Sequence, residues 1–287
     1  MYIILFDRGD RLGANITNYL FQMLYAHNNN IIIKFKNNSK EDYRYYNSIF
    51  IKILFNYIDD YNKKLFCKNI KDDILFIFDC PGDYILNISF TLQDIKNDYI
   101  SYFKKNIYDY IKLDILNIKD IYNIIPFDIN KTILLHLRLD DTSNWADYDG
   151  SICSNYYKEK IKNNEKCYYI SNENNKQAPL SKQKIENVIN KAKKTFIDYE
   201  VIILTSPNSD TTMFDYKVVK NNDENYDFYL LSLCKVVILS RSTFSISTLF
   251  FNNNKDKIYI PLWGHTAVLG FDTIYDNNDK SIYEYFY

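Results

Sequence analysis

Two segments that lie far apart in the chain end in side chains suited to binding phosphate. In the first, an apolar run over residues 133–137 that includes His136 leads into Arg138, Asp140 and Asp141. An arginine can hold phosphate oxygens through its planar fork of N–H donors. The alternative for Arg138 is an ion pair with a neighbouring carboxylate, and His136 is either a core histidine or a residue that fixes the loop by hydrogen bonding.

The second segment also leads from an apolar run into polar residues. Residues 236–239 are followed by Arg241, Ser242, Thr243 and Phe244, after which the pattern predicts a helix. The N–H groups at a helix N-terminus attract anions, and a serine or threonine there can also cap the helix. Both apolar runs predict strands, and open α/β sheets bind ligands outside the carboxyl ends of their strands. The two segments together predict a site for a phosphorylated ligand.

The composition argues against several classes of function. The 287 residues carry a net charge of −1 and have a pI of about 6.3, so no overall positive field would recruit nucleic acid. The five cysteines form no Cys-Xaa-Xaa-Cys pair and only three histidines accompany them, so we expect no metal site. The sequence has no apolar stretch of membrane-spanning length and no basic flank of a signal peptide, which predicts a soluble, cytoplasmic protein.

The order of the predicted elements indicates an α/β protein with two halves. The first half comprises residues 1–125, and Pro126 marks the joint to the second half, residues 126–287, which ends in a tail from about residue 261. Strands are predicted at 2–6, 31–33, 74–78, 132–137, 201–205, 235–239 and 257–260, and helices at 16–27, 94–115, 181–196 and 227–233. A glycine-containing loop separates the first strand from the first helix.

A set of motifs, in order along the chain, resembles those of α-1,2-fucosyltransferase-like glycosyltransferases. The motifs are Gly9–Asn15 followed by Phe21-Gln22, the run His136–Asp141, the run Asp227–Cys234 and the turn Ser242–Ser245. In that family a Leu-Gly-Asn stretch precedes a helix with Phe-Gln, and a His-Xaa-Arg-Arg-Gly-Asp signature and an Asn-Ser-Thr-Phe-Ser turn follow. The motifs span most of the chain.

The resemblance implies a GT-B-like architecture, with two Rossmann-type α/β/α halves and a cleft between them. The first half would face the acceptor and the second would bind the donor. It also implies GDP-fucose as donor, a glycan hydroxyl as acceptor, and inverting transfer without a metal or other cofactor. By the same resemblance Arg138 contacts the donor pyrophosphate, Ser242–Phe244 line the phosphates, and the loop with Gly13 and Asn15 closes over the donor.

The chain departs from the family pattern at several positions. Leu139 stands where the family has a second arginine, Asp140 replaces a glycine, Ala14 interrupts the Gly-Asn pair, and Arg241 replaces an asparagine. We hypothesise that Arg241 supplies the positive charge that Leu139 lacks. The departures leave two alternatives open: the same mechanism with another nucleotide sugar, or a catalytically inactive glycosyltransferase-like module that binds glycans.

Glycosyl transfer needs a base for the acceptor hydroxyl, and a carboxylate is the expected group. The candidates are Asp140, Asp141, Asp147 and Asp149, of which Asp141 matches the family signature and would also orient the loop. A solvated acidic loop is the alternative for Asp147 and Asp149. Asp227 could bind the nucleoside or cap its own helix, and we favour the cap.

Overall fold

The computed structural model divides the chain into two compact units, Met1–Lys119 and Asp120–Tyr287. The described residues are 2–5, 7, 11–36, 39–66, 74–76, 118, 124–139, 180–251, 255–261 and 283–286. Several predicted features lie outside these residues, namely the helix at 94–115, Gly9 and the candidate bases Asp140, Asp141, Asp147 and Asp149.

The first unit contains a small parallel sheet. Its strands are β1 (Tyr2–Leu5), β2 (Ile32–Phe35) and β3 (Ile74–Phe76), in the order β2-β1-β3, which confirms the three strands predicted there. Helix α1 (Leu12–Asn29) connects β1 to β2. It ends at Asn30, whose φ of 52° is the left-handed conformation that asparagine tolerates at helix ends.

A second helix of this unit, α2 (Ile49–Phe66), is absent from the sequence prediction. Its most deeply buried residues recur at helical spacing. They are Phe50, Ile51, Leu54, Phe55 and Ile58. Near its end, the Asn62 amide accepts a hydrogen bond from the Ile33 N–H at 3.0 Å and donates one to the Ile33 carbonyl at 2.7 Å. Asn62 therefore satisfies backbone groups of the edge strand β2 that would otherwise be unpaired.

The second unit contains a six-stranded sheet in which every pairing is parallel. Its strands are β4 (Thr132–Leu137), β5 (Glu200–Thr205), β6 (Lys217–Lys220), β7 (Val236–Ile238), β8 (Lys257–Pro261) and β9 (Tyr283–Phe286). The four strands predicted in this half are confirmed. Strand β6 was not predicted, and β9 lies in the segment predicted to be a tail.

The strands of this sheet follow the order β6-β5-β4-β7-β8-β9. Numbered from the first strand of the unit, this is the order 3-2-1-4-5-6 of doubly wound, dinucleotide-binding sheets. Strands β5 and β6 lie on one side of β4, and strands β7, β8 and β9 lie on its other side. The predicted α/β class is therefore confirmed, with two parallel sheets, and the strand order reverses between β4 and β7.

Three α-helices in the described part of the second unit lie between its strands. Helix α3 (Lys182–Thr195) has the predicted N-cap, because the Ser181 hydroxyl accepts a hydrogen bond from the Lys184 N–H. Helix α4 (Glu224–Leu233) precedes β7, and the short α5 (Thr243–Ser247) follows it. None of the helices in the described part of the chain is long and apolar enough to cross a membrane.

A buried lysine closes the C-terminal end of α4. The Lys255 ammonium donates to the carbonyls of Leu231, Ser232 and Cys234 at 2.6–2.8 Å, and only 5% of the residue is exposed. These carbonyls belong to the last turn of a helix, which has no intrahelical partner for them. Burial lowers the pKa of Lys255 to about 7, so the three hydrogen bonds offset a substantial desolvation cost.

We expect Lys255→Met to destabilise the fold by about 3 kcal/mol, because methionine leaves three buried carbonyls without a donor. Chemical unfolding monitored by circular dichroism measures the difference. The matched control is Lys193→Met on the exposed face of α3, which should change stability by no more than about 0.5 kcal/mol. A Lys255→Met variant as stable as the control would show that the carbonyls need no lysine.

Candidate functional site

Parallel pairing brings the carboxyl ends of β5, β4 and β7 into one row. Leu137 on β4 pairs with Thr205 on β5, and Leu135 pairs with Ile238 on β7. Three residues beyond the pair Leu135 and Ile238, the same register places Arg138 beside Arg241. The row lies where the strand order reverses, and sheets of this order bind their ligands at that point.

Contacts between side chain and backbone confirm that Arg138 and Arg241 are neighbours. The Nη1 atom of Arg138 donates to the carbonyl oxygen of Arg241 at 3.5 Å, which is a long hydrogen bond. Arg138 is half-buried, whereas only 4% of Arg241 is exposed. Two cationic side chains therefore arise from adjacent strand ends, and partial burial strengthens their attraction for an anion.

His136 is a neutral residue that links the two strand ends. Its Nδ1 atom lies 2.6 Å from the Ser240 hydroxyl, and its ring centroid lies 5.6 Å from that of Phe244. Burial, assisted by the positive charge of Arg138, lowers the pKa of His136 to about 3. A side chain with so low a pKa is a poor general base at neutral pH. These contacts favour the interpretation that His136 fixes the loop geometry.

The buried His136 should make the protein sensitive to acid. Between pH 6.5 and 3 the unfolded chain binds a proton at this residue and the folded chain does not, so stability is lost as pH falls through this window. By pH 5 the loss is about 2 kcal/mol. Urea unfolding at pH 7 and pH 5 should therefore show a larger decrease for the wild type than for His136→Gln, which stays neutral. Equal decreases in the free energy of unfolding of the two proteins would contradict the low pKa of His136.

The turn after β7 is held by its own hydroxyl groups. The Ser242 hydroxyl accepts from the Phe244 N–H at 3.2 Å and caps α5, as the sequence predicted. Thr243 and Phe244 are half-buried in the first turn of that helix. Two further residues contribute, namely Ser245, the last residue of the motif Ser242–Ser245, and Ser240, which was not a predicted site residue. Their hydroxyls lie 3.5 Å apart, and that of Ser245 donates to the Ser242 carbonyl.

The structure corrects the predicted role of Asp227 as a helix cap. Helix α4 begins at Glu224 and Asp223 is its N-cap, with the Asp223 carboxylate accepting from the N–H groups of Asn225 and Tyr226. Asp227 lies inside the helix and is 9% exposed, and its buried Oδ1 atom has no hydrogen-bond partner among the residues that the structure describes. Burial, together with the charges of Asp223 and Glu224, raises the pKa of Asp227 to about 7.

Helix α4 reaches the same edge of the sheet as the two arginines. Only residues 221–223 separate the end of β6 from the start of α4. The ring of Phe228, the residue after Asp227, makes an edge-to-face contact with Phe244 of α5 at 5.5 Å. The first turns of α4 therefore lie beside α5, the helix that follows β7, and Asp227 is the residue before the one that makes this contact.

Gly13 and Asn15 occupy a helix and not the predicted loop. Both lie in the first turn of α1, where the backbone N–H and the side-chain amide of Asn15 donate to the Arg11 carbonyl at 3.1 Å. Both residues are buried. The sequence placed them in a loop because glycine usually interrupts a helix, whereas here the helix starts at Leu12. Their predicted role in closing over a donor stays a prediction.

The position that lacks the second family arginine is part of the core. Leu139 is half-buried and packs against the apolar cluster of the second unit, which includes Leu137 and Ile189. A leucine at this position therefore contributes to packing, and the only cationic groups in the described row of strand ends are Arg138 and Arg241. This arrangement favours the hypothesis that Arg241 supplies the missing charge.

Among the described residues, no group of three or more histidine, cysteine or acidic side chains could hold a metal ion.

A scan against models of known protein families and a search of curated proteins find no match to this chain. The functional assignment therefore depends on the motifs in the sequence and on the geometry at the carboxyl ends of β4 and β7.

Proposed function

We propose that this protein is an inverting glycosyltransferase that moves fucose from GDP-fucose to a glycan hydroxyl without a metal. The observation that carries the proposal is the position of Arg138 and Arg241, which arise side by side at the point where the strand order of the second sheet reverses. This is the place where a doubly wound sheet binds a nucleotide. Two guanidinium groups match the charge of a diphosphate.

The chemistry of transfer explains why two arginines are needed. When the bond between the sugar and the diphosphate breaks, negative charge develops on the departing phosphate oxygens. Without a metal, positive side chains and backbone N–H groups have to stabilise this charge, and each well-placed donor typically contributes about 2.7–4 kcal/mol. Arg138 is half-buried, so solvent screens its charge less than that of an exposed arginine.

Asp227 is the residue that we propose contacts the nucleoside. Its Oδ1 atom is buried and has no hydrogen-bond partner within the described part of the chain, an arrangement that costs free energy unless a ligand supplies a donor. Guanine presents two adjacent N–H donors, which a carboxylate can accept together. We therefore assign Asp227 to recognition of the base, because the structure gives the capping role to Asp223. The raised pKa of this buried carboxylate also fits a binding residue.

The remaining parts of the proposal come from the sequence motifs. The two units would be the Rossmann-type halves of a GT-B-like enzyme, and the base that activates the acceptor hydroxyl would be Asp141 or Asp140. The acceptor glycan and the cytoplasmic location likewise stay predictions.

The second candidate is an inactive module that binds nucleotide sugars or glycans. The observation in its favour is Leu139, which packs into the core where the family signature has an arginine. Incubation of the protein with GDP-fucose alone distinguishes the two candidates, because glycosyltransferases slowly hydrolyse their donors. We expect release of GDP from the wild type and none above background from Arg138→Ala. Binding of GDP-fucose without release in either protein would favour the inactive module, and no binding of GDP-fucose would contradict the fucosyltransferase and leave a module that binds glycans.

A further inference from the structure

The ligand-binding edge of the second sheet extends beyond the two arginines to the end of β5. Thr205, the last residue of β5, pairs with Leu137, and its hydroxyl donates to the Leu137 carbonyl at 2.6 Å. The next residues, Ser206 and Arg138, therefore leave the sheet side by side, because adjacent strands are about 4.8 Å apart. Ser206, Arg138 and Arg241 follow the ends of three neighbouring strands.

The loop after β5 has a defined shape without any ligand. The Ser206 and Ser209 hydroxyls are 2.9 Å apart, and the Ser209 N–H donates to the Ser206 carbonyl at 3.1 Å. The ammonium of Lys220, at the end of β6, donates to the Ser209 carbonyl at 2.6 Å. These bonds fix the loop between the ends of β5 and β6, so its polar groups are held in place before binding.

The polar groups of this loop are suited to a diol. The exposed Asp210 accepts hydrogen bonds at one carboxylate oxygen from the N–H and hydroxyl of Thr212, at 3.0 and 2.7 Å. These bonds lower the pKa of Asp210 and fix the orientation of the carboxylate. Its second oxygen can accept from hydroxyl groups, while the half-buried Ser206 hydroxyl can both donate and accept. Adjacent hydroxyl groups of a sugar require this combination.

We propose that Ser206 and Asp210 bind the ribose hydroxyls of the nucleotide. This inference rests on the proposed function, because a diphosphate held by Arg138 and Arg241 brings a ribose to one side of the row. The β5 side carries the hydroxyl and carboxylate groups, next to the end of the strand that precedes Arg138. Phosphates and ribose would then lie along one continuous edge. In sheets with this strand order, an acidic residue often binds the ribose in this way.

Calorimetric titration with GDP and 2′,3′-dideoxy-GDP tests the inference. We expect the wild type to bind GDP at least about tenfold more tightly, the effect of one or more hydrogen bonds to the ribose. In Asp210→Asn, and to a smaller extent in Ser206→Ala, the ratio of the two affinities should fall towards one. The matched control is Asp215→Asn, an exposed carboxylate near the start of β6 in the same connection, which should keep the wild-type ratio.

Two results would overturn the inference while leaving the proposed function intact. One is a wild type that binds GDP and the dideoxy nucleotide equally well. The other is a ratio that stays at the wild-type value in both Ser206→Ala and Asp210→Asn. A wild type that binds neither nucleotide is a different result, since it would contradict the proposed function itself.

Discussion

Replacing Arg138 with alanine should weaken GDP binding by about 30-fold and lower kcat/KM for donor hydrolysis by about 10²–10³. The guanidinium lies beside Arg241 at the end of β4. Both effects follow from removing the charged donor that we propose binds the diphosphate. The larger effect on turnover is expected because negative charge on the phosphates increases as the sugar leaves. Calorimetry and a coupled GDP-release assay measure the two quantities.

Two further variants separate charge from geometry in this prediction. Arg138→Lys keeps the charge but loses the planar fork of donors, so it should recover only part of the affinity. Arg241→Ala should also weaken GDP binding if it supplies the charge that Leu139 lacks, and unchanged affinity would refute that compensation. Lys193→Ala, on the exposed face of α3, is the control and should bind normally. Wild-type affinity in Arg138→Ala would place the diphosphate elsewhere.

Asp227→Asn should make the protein more stable at pH 8 and at the same time weaken its binding of GDP. Because the pKa of Asp227 is raised to about 7, the folded state holds a proton more tightly than the unfolded state between pH 3.8 and 7. Stability is therefore greatest at low pH and falls as pH rises through this window, by up to about 4 kcal/mol. Asparagine carries no charge to desolvate, so we expect a gain of about 2 kcal/mol at pH 8 and none at pH 4.

The second part of this prediction concerns the affinity of Asp227→Asn for GDP. Asparagine presents one acceptor oxygen and an N–H₂ group where the carboxylate accepts from two N–H donors, so GDP affinity should fall at least tenfold. The matched control is Glu224→Gln, an exposed acidic residue in the same helical turn, which should alter neither property strongly. Urea unfolding at the two pH values and GDP titration at pH 8 provide the measurements. A variant that gains stability and keeps its affinity would remove Asp227 from the nucleotide site.

The sequence predicted the central strands because each is a short, strongly apolar run. Strands β4, β5 and β7 are buried along nearly their whole lengths. In the sequence each is therefore a run of apolar residues with polar residues after it. The edge strand β6 was missed because its ends are exposed lysines and only its two central residues are apolar. Helix α2 was missed because Ile53, Tyr57 and Tyr61 widen its apolar face and blur the helical period.

The candidate site was predicted in outline and not in detail. Arg138 and Arg241 could be predicted together because each follows a strand of the same sheet, and parallel strands end at a common edge. The contact between His136 and Ser240 joins residues 104 positions apart, which no local pattern indicates. Asp227 was assigned to the wrong role because Asp223, Glu224 and Asp227 are all acidic, and only the helix boundary decides which one is the cap.

Thermal unfolding in the presence of nucleotides tests the central claim most directly, namely that the edge at β4 and β7 binds a guanine nucleotide through its diphosphate. A panel of GDP, UDP, CMP, dTDP, ADP, GDP-fucose and GDP-mannose would be compared with guanosine. At a hundred times its dissociation constant a ligand adds about 2.7 kcal/mol, which is a shift of several degrees for a protein of this size. We predict shifts with GDP and GDP-fucose, none with guanosine at the same concentration, and shifts reduced to about a third in Arg138→Ala, as an affinity weakened about 30-fold requires. No shift with any nucleotide, or an undiminished shift in Arg138→Ala, would contradict the claim.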